Sequence, residues 1–489
     1  MSTDCPSSTR FAVPYLKPIP NLKKVRVAVQ PLLFGTEPGS PVTLQPDHQG
    51  PRWTAMAWPQ DTDPLVEYLA PAKIYTAGDF VQFKMQNFSA FAVSTVPSAY
   101  QMSVLAEFGK PVVPFWDAAG HPSAGPELRA AAERHGVPGF CPNGVEEVER
   151  VQRALRAITF MRSMRVLPVG PVWQRSTRPD DAELSRFSPT EYEDMQRIFG
   201  MQFLEEREIN EFFEAIEQAD ENEVQQVVQQ WREETEFAEP NISKGLILYA
   251  RVYLALRDLL AVHGSNCLLH MCDEPVKGDR CTCMGLDFWA PVPVEIGRTV
   301  WGCEFVPCWA YALLVDEGIP LCCKGATKSL VAVSLLMGLS GGAAIVEGGI
   351  STPQEDLLVQ MPDLIPPSML DSRKPVQLAD MHHRGVGCTN FGELEEGRLV
   401  TGLLVDASKR EWYTCTGEVL WTKREQGRYP GEGNPGAEGF ALRVKNAPRI
   451  RACHRTTGSH LVVALGDWTK HLEVLAPAFQ AHVHNLDEA

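Results

Sequence analysis

The chain has 489 residues, 44% of them hydrophobic and 22% charged, with a formal net charge of −16. At roughly 100–200 residues per domain that length predicts two to four domains, and the composition excludes a disordered chain. The negative charge, with no Lys/Arg-rich run set against it, repels phosphate backbones and anionic bilayer surfaces, so neither nucleic acid nor membrane is an expected partner.

The first residues, MSTDCPSSTRFAV, carry neither the basic region nor the apolar core of a signal peptide, and a cytoplasmic location is the expectation. The runs KVRVAVQPLLF (24–34), FSAFAVST (88–95) and KPVVPFW (110–116) are short and β-branched or apolar, with helical patterns SAYQMSVLAEFG and GPELRAAAERHG around the last two. That alternation predicts an open, largely parallel α/β sheet. The amphipathic stretch VEEVERVQRALRAITFMRSM (145–164) closes it as a long helix. A second α/β unit opens with RVLPVGP (165–171) and turns helical from REINEFF through SKGLILYARVYLALRDLLAVHG. Its strands are SNCLLHMC (265–272), IPLCC (319–323) and AAIVEGG (343–349). The apolar window 329–346 is nearly long enough to span a membrane, but MGLSGG interrupts it, and it reads as helix, turn and buried strand.

From about residue 351 the texture changes. STPQEDLLVQMPDLIPPSMLDSRKP is Pro-rich and poorly periodic, and beyond it GRLVTGLLVD, EWYTCTGEVLWT, FALRVKN and HLVVALGDW are strand-like. The expected architecture is α/β: two α/β, Rossmann-like domains (1–165 and 166–350) followed by a mainly β C-terminal domain (351–489). The Gly-rich GEGNPGAEG (431–439) lacks the preceding strand and following helix of a phosphate loop. Thirteen cysteines, an odd number, point to reduced thiols more than to a disulfide framework. Four of them, in CLLHMCDEPVKGDRCTC (267–283) with His270 among them, have the softness zinc or an iron–sulfur cluster wants, but no pair has C-x2-C spacing.

GCEFVPCWAYALLVDEGIPLCCKGATKSLVAVSLLMGLSGGAAIVEGG (302–349), HHRGVGCT (382–389), TGLLVDASKREWYTCTGEV (401–419) and GSHLVVALGDWTKHLEVLA (458–476) together resemble the L-fucose/L-arabinose isomerase-like superfamily of sugar ketol-isomerases. The resemblance runs from the helices near 208 to the C-terminus and more loosely over the N-terminal unit. In that family a strand-end glutamate in a Cys-Glu-Gly-Asp-like motif, a second acidic residue and the histidine of a Gly-x-His bind a divalent metal, usually manganese. The ion holds the sugar's O1 and O2 while a proton moves between C1 and C2. The resemblance places the histidine at His460 and the second acid at Glu347 or, one residue on, at Gly348. The first glutamate falls at Lys324 in CCKGA and the motif's aspartate at Ala326. Cys303 and Cys308 fit the family's strand and turn cysteines.

Without that frame, Lys324 is a surface lysine, Glu347 a solvent-facing strand end and His460 a core histidine. With it, a lysine ammonium about 4 Å from a divalent ion meets roughly 8 kcal/mol of repulsion at an effective dielectric of 20. Three readings stay open: a metal held elsewhere, a metal-free site with Lys324 as base or Schiff-base amine, or a site that has lost its chemistry. Manganese is expected to bind weakly or not at all, since Glu347 and His460 supply at most two ligands where such an ion takes about six. The resemblance implies Lys324, Glu347 and His382 as catalytic residues and His383, Arg384 and Trp468 as substrate contacts. It also implies a small sugar-like substrate and a homo-oligomer, trimer or hexamer. A non-catalytic sugar- or protein-binding descendant, or new lysine- or cysteine-based chemistry on the same scaffold, is the alternative.

Overall fold

The computed structural model describes residues 22, 25–34, 65–70, 72–93, 98–114, 124–142, 145–170, 189–237, 242–270, 275–276, 303–304, 308–322, 327–382, 385–424 and 438–488. The chain divides into two compact units, one formed by Lys24–Arg162 with Lys470–Val483 and the other containing Ser163–Thr469. The fold is mixed α/β, with a mainly antiparallel sheet late in the chain.

In the first unit β1 (Val27–Phe34) is the central strand. It pairs in parallel with β2 (Val66–Tyr68) and β3 (Ala72–Ile74) along one side and with β4 (Ala90–Val93) on the other, and β4 pairs with β5 (Val112–Pro114). Helices α1 (Ala99–Glu107), α2 (Ala124–Arg134) and α3 (Val145–Arg162) belong to this unit. The start of α1 is fixed by a reciprocal cap: the Gln101 N–H donates to Ser98 Oγ at 3.2 Å, and the Ser98 N–H donates to Gln101 Oε1 at 2.8 Å. Phe91, fully buried on β4, packs against Phe88, Phe108 and Phe83 with ring centroids 4.6, 5.5 and 5.8 Å away. Such pairs add about 0.5–1.5 kcal/mol each beyond area burial.

The second unit opens with β6 (Arg165–Val169), α4 (Pro189–Phe199), β7 (Gln202–Phe203), α5 (Ile209–Glu217), α6 (Glu221–Glu234), β8 (Thr235–Phe237) and α7 (Ile242–Val262). Next come β9 (Cys267–His270), β10 (Pro275–Val276), β11 (Cys303–Glu304), α8 (Cys308–Asp316), β12 (Leu321–Cys322) and α9 (Thr327–Ser340). Strands β12, β9, β6 and β7 form a parallel sheet in that order. After α9 come β13 (Ile345–Gln354), β14 (Leu357–Leu364), β15 (Val376–His382), β16 (Gly385–Phe391), β17 (Leu399–Asp406), β18 (Glu411–Arg424), β19 (Glu438–Val444), α10 (Ala447–Thr457) and β20 (Val462–Leu465). The pairings β17-β20-β13-β14-β19-β18 are all antiparallel and return from β18 to β17, closing a six-stranded barrel. A barrel this small is filled by side chains. At Gly402 a Cβ would lie 2.7 Å from Cys415 Sγ and 3.1 Å from Leu461, so only glycine fits there.

Helix α9 packs against β12 of the parallel sheet and against β13, β17 and β20 of the barrel. Covered on both sides, it is apolar all round, which accounts for the membrane-like window in the sequence. No helix among the described residues is long and apolar enough to cross a membrane.

Two features add to the sequence reading. The Pro-rich stretch after residue 351 begins as strand: β13 runs straight through that position and β14 follows as a central strand. Pro362 is tolerated because it stands opposite Glu347, where the β13–β14 register is irregular and the regular ladder is already interrupted. Between the strand-like runs lies α10, started by Asn446, whose side chain accepts from the Arg449 N–H at 3.0 Å, and ended by Gly458 at φ 69.

Candidate functional site

The first part of the site is built from α10, α9 and β20. The left-handed turn at Gly458 ends α10, and the Lys328 ammonium near the start of α9 donates to the last-turn carbonyl of Thr457 at 3.0 Å. A cation there suits the negative end of the helix dipole. The chain then presents Ser459 and His460, whose backbone N–H donates to the buried Ser329 hydroxyl at 3.0 Å. His460, partly buried, is thereby fixed beside the first turn of α9, immediately before β20.

The antiparallel register brings the end of β13 beside the start of β20. Ile345 pairs with Val463 and Val346 with Val462, and Glu347 is the next residue of β13, where its register with β14 is irregular. Neighbours in such a pair are about 5 Å apart at Cα. Two stretches far apart in sequence, at 327–329 and 457–460, thus converge through the Lys328–Thr457 and His460–Ser329 hydrogen bonds. Lys324, three residues before α9, lies outside the described residues, as do Ala326, His383 and Arg384.

The two other expected site residues are placed elsewhere. His382 ends β15, in a three-stranded sheet β16-β15-β8 that shares no strand with the barrel. Trp468 lies beyond the opposite end of β20, a strand that alone spans about 13 Å. Its indole N–H donates to Leu465 O at 2.6 Å and its backbone N–H to Thr401 Oγ1 at 2.7 Å, so it closes a turn. The described geometry does not bring it beside His460.

The second part of the site is the carboxyl edge of the parallel sheet. The chain goes from β6 to β7 on one side, then returns to place β9 and β12 on the other, so strand order reverses between β6 and β9. Ligands of open α/β sheets bind at the carboxyl ends of strands at such a reversal. Here the row reads His270, Val169, Arg207: Val169 pairs with His270 on β9 and bridges to Arg207 just after β7. Gly170 follows β6 at φ 88, a conformation that favours glycine.

His270 is 1% exposed. Its Nδ1 shares a hydrogen bond with the Tyr311 hydroxyl from α8, and the Phe212 ring of α5 meets it edge-on at 4.8 Å. Burial lowers its pKa to about 3, so the imidazole is neutral at physiological pH. Its Nε2 is buried with no partner, an omission that costs about 1–3 kcal/mol. The Nε of Arg207 is also buried without a partner, while its Nη2 lies 3.6 Å from Glu205 Oε2. Sequence reading missed Arg207 and saw His270 only as a member of a cysteine cluster. The signal was present in CLLH, an apolar run that ends on a polar residue at a strand's carboxyl end.

Among the described residues no three His, Cys, Asp or Glu side chains converge. For the cysteine cluster, burial pushes the Cys267 thiol up, with Cys322 nearby adding to the rise, and both are free thiols. A buried thiol of raised pKa is a poor ligand and nucleophile. Cys272, Cys281 and Cys283 lie outside the described residues. No family model matches the chain, and no curated protein matches it significantly.

Proposed function

We propose that the chain is an L-fucose isomerase-like protein that binds a polyhydroxylated carbonyl compound where β13, β20 and the start of α9 meet, and interconverts its aldose and ketose forms. The observation that supports this reading is the His460–Ser329 hydrogen bond, which holds His460 at the first turn of α9, with the β13–β20 pairing running to Val346, the residue before Glu347. An aldose–ketose interconversion needs a base to carry a proton between C1 and C2 and a donor to hold the carbonyl oxygen. Glu347 is the base in this proposal and His460 the donor. No step passes through a metal, because the donor set does not fit one; Lys324 supplies positive charge or an amine instead.

A second reading, a sugar-binding descendant without turnover, is favoured by the loss of both acidic positions at Lys324 and Ala326. The test is to incubate the protein with neutral aldopentoses and aldohexoses and follow ketose formation by carbon-13 NMR, without metal and with added manganese. Turnover that Glu347→Gln lowers by about 100-fold or more supports the enzyme. Binding without turnover supports the second reading, and no binding refutes both. Stoichiometric manganese in protein purified without chelator contradicts the metal-free site, whereas a borohydride-trapped adduct at Lys324 identifies it as a Schiff-base amine. A cytoplasmic homo-oligomer is part of the proposal. A light-scattering mass equal to the 54.2 kDa chain would remove the oligomer.

A further inference from the structure

The proposed site at α9 and β20 leaves one feature of the second unit unused. His270 ends β9 at the point where strand order in the parallel sheet reverses, and its Nε2 is buried and unpartnered. Packing does not require a nitrogen at the Nε2 position, where the ring is met by the aromatic rings of Phe212 and Tyr311. Tyr311 satisfies Nδ1 and so orients the ring, leaving Nε2 as the free polar atom. A side chain that breaks a folding rule at the place where α/β sheets bind ligands is expected to be completed by the ligand.

We infer that His270 is a binding residue whose Nε2 hydrogen-bonds an uncharged oxygen, hydroxyl or carbonyl, of the polyhydroxylated compound proposed above. The inference rests on that reading and names which atom of the sheet edge the compound meets. Among the described residues the surroundings favour an uncharged oxygen: the aromatic rings against His270 bring no carboxylate to hold an imidazolium, and Arg207 across β6 has Glu205 beside it. The low pKa of the ring agrees, since a neutral imidazole offers one N–H or one lone pair, which a hydroxyl accepts or supplies. An anionic group would instead need a second positive charge on the ring.

The experiment uses the full chain and the neutral aldopentoses and aldohexoses of the activity assay. Calorimetry compares the unmutated protein with His270→Phe, which keeps the ring's shape, and His270→Gln, which keeps a neutral hydrogen-bonding group. Nitrogen-15 histidine spectra of the unmutated protein report Nε2 directly, whether or not a variant folds. The expected result is at least a tenfold loss of affinity in His270→Phe, retention within about threefold in His270→Gln, and a shift of the His270 Nε2 resonance on sugar addition. If sugar binds and neither the Nε2 resonance nor the affinity of His270→Phe changes, the inference is overturned and the proposed function stands. If no sugar binds the unmutated protein, both fall.

Discussion

The chain holds two parallel sheets of similar plan, and they differ in how their interiors are finished. In the first, β1, β4 and β5 are closed over by aromatic rings, with Phe91 at the centre of a cluster that leaves no polar atom to satisfy. In the second, the carboxyl edge carries His270 and Arg207, each with a buried nitrogen that the protein does not pair. Among the described residues the core cluster of the first sheet is hydrophobic throughout. The other gives up stability at one edge, and proteins tolerate such local conflicts chiefly where a ligand resolves them.

The comparison is most sharply tested at Phe91. Phe91→Ala removes the centre of the aromatic cluster and is expected to cost about 3–5 kcal/mol, read as a lower urea midpoint and as lost amide-exchange protection in β1, β4 and β5. A loss under about 1 kcal/mol would mean that the first sheet does not depend on that cluster.

A smaller effect of distinctive pH dependence is expected at His270. The folded-state pKa is depressed to about 3 from an ordinary 6.5, so the unfolded chain takes up a proton that the folded chain refuses. The stability contributed by neutral His270 is fully present above about pH 6.5 and is lost as pH falls from there to about 3. At pH 5 the cost is about 2 kcal/mol, and His270→Phe removes it, so the variant's stability should fall less than that of the unmutated protein between pH 7 and pH 5. Parallel losses in the two proteins would show that His270 does not set the acid response.

The smallest effect belongs to Ser329, which the sequence presents as one more residue of an apolar helix. Ser329→Ala strips the hydroxyl that accepts from the His460 N–H and should cost about 1 kcal/mol, with weaker sugar binding because His460 is no longer held at α9. Unchanged affinity would separate that hydrogen bond from the proposed site.

Much of the fold is legible in local pattern. The apolar runs at 27–34, 90–93 and 112–114 announce strands, SAYQMSVLAEFG carries its own capping residues, and MGLSGG divides a long apolar window into α9 and β13. Even α10 had signals, with Asn446 before it and Gly458 after it, but its sequence APRIRACHRTT has little apolar periodicity to draw attention. The strand β14 was harder to see, because Pro362 forbids a central strand unless the partner strand is irregular at that place, and the irregularity is in β13.

By itself the sequence determined the elements, since helix caps, alternation and chain-breaking residues act over a few positions and are written locally. Tertiary structure decided everything that depends on register and strand order: that β13 pairs with β20 at Val346 and Val462, that α9 lies between a parallel sheet and a closed barrel, and that β9 returns to the far side of β6. The reason is that pairing between distant strands is chosen by the summed burial of whole faces, and no single residue along the chain records that choice.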